Sequence, residues 1–290
     1  MNKSSILHKT LARALSMKRP HNSEGTRRLT DWIEASAKTI PDVRIGRDQA
    51  GNLHIDTRVS PLNRTLFTAH VDTVHRDAGP NKIRKTATHW HAEGAPLGAD
   101  DGAGCAMLMH LMHAGVPAYY IFTQGEECGG IGAKHLAKHN YDLLKEFDRA
   151  IAFDRRGIDS VITHQGWGRT ASDSFAQALS DALNVDERLM YLPDDTGVYT
   201  DTAEFKDIIP ECTNISVGYA HEHTDKESLD VIHFQALADR VVCIDWDNLP
   251  TERDPKVIES KYDTDWGGWG EATSVTSSFD RGHYFVDDQE

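Results

Sequence analysis

The stretch 98-GADDGAG-104 sets two adjacent aspartates, Asp100 and Asp101, among residues too small to build a core. Side-by-side carboxylates repel, and glycine and alanine offer nothing to offset that. A positive charge resting on them would. Other carboxylates and imidazoles come in short clusters: His70 and Asp72 in 70-HVD, Glu126 and Glu127 in 124-QGEE, Asp154, and 221-HEHTDKE. Each alone has an ordinary explanation. A His after a strand is most often a hydrogen-bonded loop residue, an Asp before a helix is most often its N-cap, and a Glu pair on a loop is most often solvated. Gathered in one cleft, these carboxylates need compensation, and a pair of divalent cations supplies it. Mixed imidazole and carboxylate donors suit zinc, or manganese or cobalt in its place. One aspartate of the pair would then lie between two ions and give one oxygen to each. Its small neighbours would let the backbone approach closely, and a cis-type peptide would turn the second aspartate aside.

Gathering the clusters is the work of the elements between them. Apolar runs rich in β-formers read as strands at 65-TLFTA, 118-AYYIFT, 150-AIAF, 160-SVITH and 213-TNISVG. Helical patterns fall at the N-terminus, where Leu7, Leu11 and Leu15 recur every four residues, and at 22–38, 103–114, 130–139, 172–183 and 234–249. Strands and helices alternate, which predicts an α/β fold with a mostly parallel central sheet covered by helices on both faces. In such sheets ligands bind beyond the carboxyl ends of the strands. His70 and Asp72, then Glu126 and Glu127, then Asp154, then His221 and His223 all follow strands, and Asp100 opens a helix.

The chain has 290 residues, 39% of them hydrophobic, and a formal net charge of −14. That is enough apolar sequence for a sizeable core, and the acidity makes nucleic acid and anionic membranes poor partners. The four cysteines form no CxxC pair, and Cys105 and Cys243 sit in what reads as interior sequence. All four are expected to be reduced. The N-terminus has no apolar segment of the secretory kind, so the cytoplasm is the expected location. Residues 1–250 read as one catalytic domain. Residues 251–290 read as an acidic tail, loosely packed or disordered. Within it, 263-DTDWGGWGE misses the spacing of a calcium loop.

The ordered set His70-x-Asp72, Asp100-Asp101-Gly102-x-Gly104, Glu126-Glu127, Asp154 and His223-Thr224-x-x-Glu227 resembles the co-catalytic di-zinc exopeptidases. That superfamily holds single-domain aminopeptidases, peptidase T-like tripeptidases, glutamyl aminopeptidases and glutamate-releasing carboxypeptidases. The likeness runs from about Ser23 to about Asp247 and takes in 48-DQAGNLHI and 200-TDTAEF. It implies two divalent ions. Asp100 would bridge them, His70 and Asp154 would complete one, and Glu127 and His223 the other. Asp72 would orient His70 through its second ring nitrogen. Glu126 would be the general base for a hydroxide, shared by the ions, that attacks the scissile carbonyl.

Several branches of the superfamily insert a lid domain of roughly a hundred residues. The spacings from His70 to Asp100 and from Asp154 to His223 leave no room for one, so no inserted domain is expected. Substrate recognition then falls to loops of the same domain. Arg155 and Arg156 could hold a substrate carboxylate, balance the acidic site or pair with surface acids. Asp201 and Glu204 could bind a free α-amino group. His221 competes with His223 as ligand, and His89 and His91 in 89-HWH read as an ordinary surface hairpin. The leading function is amide hydrolysis of short peptides by an aminopeptidase. N-acyl amino acid amidohydrolase, carboxypeptidase-type exopeptidase and non-catalytic binding protein are the other readings. The oligomeric state is not legible.

Overall fold

Leu66 and Phe67 are neighbours in one strand, and both are fully buried. Successive strand residues point to opposite faces, so the sheet that carries them must be covered twice. The computed structural model describes residues 3–166 and 168–257. Most of the expected tail, with its 263-DTDWGGWGE run, lies outside the described residues.

The central sheet has eight strands, in the order Leu192–Asp194, Ser160–Ile162, Glu211–Ser216, Arg149–Arg155, Thr65–His70, Tyr119–Thr123, Leu53–Asp56 and Arg44–Arg47. The centre is parallel: Arg149–Arg155 pairs with both Glu211–Ser216 and Thr65–His70, and the latter with Tyr119–Thr123. Antiparallel pairings occur toward both edges. The fold is therefore α/β with a mixed, mostly parallel sheet flanked by helices, and among the described residues no lid domain interrupts it.

Two cores follow from the strand alternation. Leu66, Ile121, Ala150 and Cys212 face one side, where they meet Ala133 and Leu136 of the Ile131–His139 helix and Phe205. Phe67, Tyr120, Phe122, Ile151 and Phe153 face the other, larger core. There Phe67 stacks between Tyr120 and Phe153, with ring centroids 5.4 and 6.2 Å away, and meets the edge of Trp246 at 5.1 Å. Burial on both faces explains why these strands read as unbroken apolar runs.

The Ala99–Ala114 helix runs through the larger core and is buried over 99–112 on every side. The Lys3–Leu15 helix covers it with Leu7, Leu11 and Leu15, each fully buried. The Glu24–Ala37 helix starts from the Ser23 cap, whose side chain accepts from Thr26 N. The last main helix is shorter than its pattern suggested. It spans Val231–Val241 and stops before a 3-10 turn at Trp246–Asn248.

One local expectation fails: Cys243 is exposed rather than interior, although Cys105 is buried and all four cysteines are free. The 89-HWH stretch does form a surface hairpin, His89–Ala92 pairing with Ile83–Lys85 and both histidines exposed, and Ser228–Asp230 joins it in a second, four-stranded sheet. The segment after Leu249 is also tied down at its start. Arg149 donates to Leu249 O and Thr251 Oγ1, and Arg253 donates to Lys206 O and Pro210 O.

Candidate metal centre

Asp100 stands at the entrance to the central helix, joined to Asp101 by a cis peptide. The two carboxylates diverge. Asp101 turns inward and accepts from His70 N (3.2 Å) and Gly104 N (2.8 Å). A Cβ at Gly104 would collide with that carboxylate, so only glycine fits there. Asp100 turns to the end of the sheet. Its Oδ1 lies 3.0 Å from His70 Nε2 and its Oδ2 3.1 Å from His223 Nε2.

The carboxyl ends of three parallel strands supply the rest. His70 closes the Thr65–His70 strand, and its Nε2 lies 3.6 Å from Asp154 Oδ1, near the end of the neighbouring strand. Glu126 and Glu127 follow the Tyr119–Thr123 strand. Glu127 Oε1 lies 3.3 Å from His223 Nε2 and Glu126 Oε2 4.0 Å from His70 Nε2. Three groups of donors result, each with ligand atoms within 4.8 Å of one another: His70, Asp100 and Asp154; Asp100, Glu127 and His223; His70, Glu126 and Glu127. The first two share Asp100. Tetrahedral bonds of about 2.0–2.2 Å put donor atoms roughly 3.3–3.6 Å apart, close to these separations.

The donor set fits divalent cations on two further observations. Glu127 Oε1 is buried and has no well-formed hydrogen bond, His223 notwithstanding. The electrostatics are short of positive charge. Burial, with nearby Asp154, Asp201 and Asp100, pushes Glu126 up to about 9. Burial and Asp100 push Asp154 up to about 6. The imidazoles answer by holding protons. The hydrogen bond to Asp100 and the adjacent Glu127 carboxylate raise His223 to about 11, and the surrounding carboxylates outweigh burial to raise His70. For Asp100 burial acts upward, but both imidazoles outweigh it and hold the carboxylate far below its usual range. Cations would relieve this shortage.

A ring of buried polar residues fixes the donors. Asp72 is fully buried. Its carboxylate accepts from Gly125 N (2.8 Å), Glu126 N (3.2 Å) and Glu127 N (3.2 Å), and lies 3.7 Å from His70 Nδ1. The nearer partner of Nδ1 is the carbonyl of Asp72 itself, at 3.2 Å. Glu227 accepts from the N–H groups of Gly98, Ala99 and Asp100 at 2.7–3.1 Å. Asp154 is held through its backbone by Asn214, and through its carboxylate by Thr200 Oγ1 (2.6 Å) and Tyr219 Oη (3.1 Å).

Arg19 completes the ring from the N-terminal segment. It is fully buried and donates to Val71 O (2.8 Å), Gly98 O (3.0 Å) and Ala14 O. It thereby clips the segment after His70 to the one before Asp100. Sequence reading missed Arg19, Asn214, Thr200 and Tyr219. None of them left a local signal: Asn214 is one of several polar residues in the buried strand Glu211–Ser216.

Other candidates fall elsewhere. His221 joins none of the donor groups. It shares with His223 a left-handed backbone, φ 58° and 66°, a region few bulky residues adopt. His75 is buried between Thr73 Oγ1 and Pro96 O. Asp201 is buried beside Thr123, Glu204 accepts from Tyr199 Oη, and neither lines the cavity next to the donors. Arg155 and Arg156 do line it. Among the described residues no helix is long and apolar enough to cross a membrane.

The family model described as peptidase family M28 matches residues 52–244. No curated protein sequence matches the chain. Among solved structures, the aminopeptidase PepT from Bacillus cereus ATCC 10987 superposes with a TM-score of 0.70 at 14% identity, covering 85% of this chain and 99% of that one. A tripeptidase from Staphylococcus aureus subsp. aureus Mu50 gives 0.66 at 16% identity, over 83% and 97%. An aminopeptidase from the archaeon Desulfurococcus kamchatkensis gives 0.62 at 14%, over 83% and 94%. At these identities the superpositions speak for the fold.

Proposed function

The chain belongs to peptidase family M28 and is a metal-dependent peptide hydrolase; on that premise we propose that it is an aminopeptidase of short peptides working with two divalent ions. The observation that carries the reading is Asp100, which offers one oxygen beside His70 and the other beside His223. His70, Asp154 and one Asp100 oxygen would hold one ion, and Glu127, His223 and the other oxygen the second. Zinc suits this mixture of imidazole and carboxylate, with manganese and cobalt as substitutes. Such ions, when bound, polarise a carbonyl and acidify a water.

The protein's own part is proton handling and placement. Glu126 is outside both of the groups that share Asp100, yet near them. It would take a proton at its carboxylate and return it to the leaving amine. Asp72 keeps Glu126 at that station by holding its backbone N–H. Glu222 lines the adjoining cavity and its Oε2 is buried without a donor among the described residues. We assign it the free α-amino group of the substrate, the role sequence had offered to Asp201 and Glu204. The four free cysteines accord with the proposed cytoplasmic location.

Elemental analysis of wild type and Asp100→Ala tests the centre: about two ions per chain are expected in the first and a loss in the second. One ion or none in wild type, after zinc, manganese and cobalt have each been offered, overturns it. Peptides with free and acetylated amino termini then test the specificity. Cleavage confined to the acetylated set would make the enzyme an N-acyl amino acid amidohydrolase.

A further inference from the structure

The cavity beside the donor groups measures about 440 Å³, toward the small end of ligand sites. One wall is acidic, formed by the metal-centre carboxylates. The cavity lining also includes Arg155, Arg156 and Gln165. Consecutive strand residues normally diverge. Here the ladder between Arg149–Arg155 and Glu211–Ser216 shifts register between Asn214 and Ser216, opposite Arg155. A shift of this kind re-aims side chains, and Asp154 and Arg155 both line the cavity.

The two arginines are differently engaged. Arg156 pairs with Glu222 at 3.1 Å. Arg155 donates from Nη2 to the neutral Thr196 Oγ1 at 3.0 Å, and its nearest carboxylate oxygen, Asp194 Oδ2, is 3.8 Å away. Asp194 is already occupied, accepting from Ser160 Oγ and Thr196 N at 2.7 Å each. Among the described residues Arg155 Nε has no acceptor, and Gln165 Oε1, on a residue 1% exposed, has no donor. The lining therefore holds a weakly compensated guanidinium and an unused amide oxygen. A carboxylate next to a peptide N–H matches both, since guanidinium binds carboxylate in a fork.

We propose that Arg155 is a subsite for the free α-carboxylate of the substrate, which makes dipeptides and tripeptides the substrate class. This rests on the peptidase reading above. The size of the cavity agrees with it. Arg155 and the donor carboxylates line one cavity of about 440 Å³, toward the small end of ligand sites, so a carboxylate held at Arg155 and an amide held at the donor groups belong to a short peptide.

The test compares Ala-Ala-Ala with Ala-Ala-Ala-amide on the metal-loaded protein. Wild type should favour the free acid by about tenfold or more in kcat/KM, as a charge-assisted pair is worth. Arg155→Gln should remove that preference by raising KM for the acid while the amide is cleaved much as before. Equal use of both peptides by wild type, or an equal loss on both in Arg155→Gln, overturns the subsite. Calorimetric binding of the same two peptides to Glu126→Gln separates the two readings. Tighter binding of the acid, abolished by adding Arg155→Gln, supports the subsite even where wild type cleaves neither peptide and the aminopeptidase reading fails. Equal binding rejects the subsite independently of turnover.

Discussion

The carboxylate of Asp72 accepts from the backbone N–H of Glu126 at 3.2 Å, and from those of Gly125 and Glu127 on either side. It reaches His70 Nδ1 only at 3.7 Å. Asp72, two residues after His70, thus serves chiefly to hold a different strand's loop. Its two oxygens take three amide donors, fixing Glu126 and Glu127 together.

Asp72→Asn should be informative for that reason. An amide keeps one accepting oxygen and presents an NH2 to the other backbone donors, so the glutamate loop shifts. Losses of about 10–100-fold follow disruption of such supporting groups. We expect a fall of that size in kcat with metal content close to wild type. Metal loss matching the rate loss would return Asp72 to the service of His70.

Glu126→Gln keeps the shape and removes the proton acceptor. A positioned acid–base group contributes typically 10²–10⁴-fold, and kcat should fall by about that factor. Both ions should remain by elemental analysis, because Glu126 is outside the two groups that share Asp100. Undiminished hydrolysis would remove Glu126 from the mechanism.

Arg19→Met leaves Val71 O and Ala14 O without their donor inside the core and removes one of the two donors to Gly98 O. Unsatisfied buried groups cost about 1–3 kcal/mol each. A net loss of about 3 kcal/mol lowers Tm by roughly 6–12 °C in a chain of this size. Scanning calorimetry measures it. A change under about 2 °C would mean that Arg19 is dispensable to the frame around the site.

His75 sets a pH dependence. Burial lowers its pKa to about 4, and its neutral ring bridges Thr73 Oγ1 and Pro96 O. The unfolded chain takes up this proton near pH 6.5 and the folded chain only near pH 4. The unfolded state therefore binds more protons between those values, and stability falls as pH drops from 6.5 toward 4. His75→Gln should show a smaller Tm loss between pH 7 and pH 5 than wild type. An identical loss in both proteins would place the acid sensitivity elsewhere.

Much of this protein was decided by local sequence. The alternation of apolar runs with helical patterns fixed the α/β class, because the two periods, 2 and 3.6, demand different partners. The clustering of carboxylates and imidazoles after strands marked one end of the sheet, since the carboxyl ends of parallel strands converge there. Glycine at 104 was legible as a close approach, because nothing larger fits beside Asp101.

The tertiary structure decided what side chains do once chains far apart in sequence meet. Arg19 reads as part of a basic terminus, and only the docking of the Lys3–Leu15 helix onto the Ala99–Ala114 helix makes it a buried clip. Asp201 and Glu204 read as candidates for a free α-amino group and do not line the cavity, while Glu222 and Arg155 do. Asp72 reads as a partner for His70, and burial of the 125–127 loop against it supplies nearer donors. Residue type and spacing settle which chemistry is possible; which hydrogen bonds form depends on distances set by packing, and no local pattern encodes those.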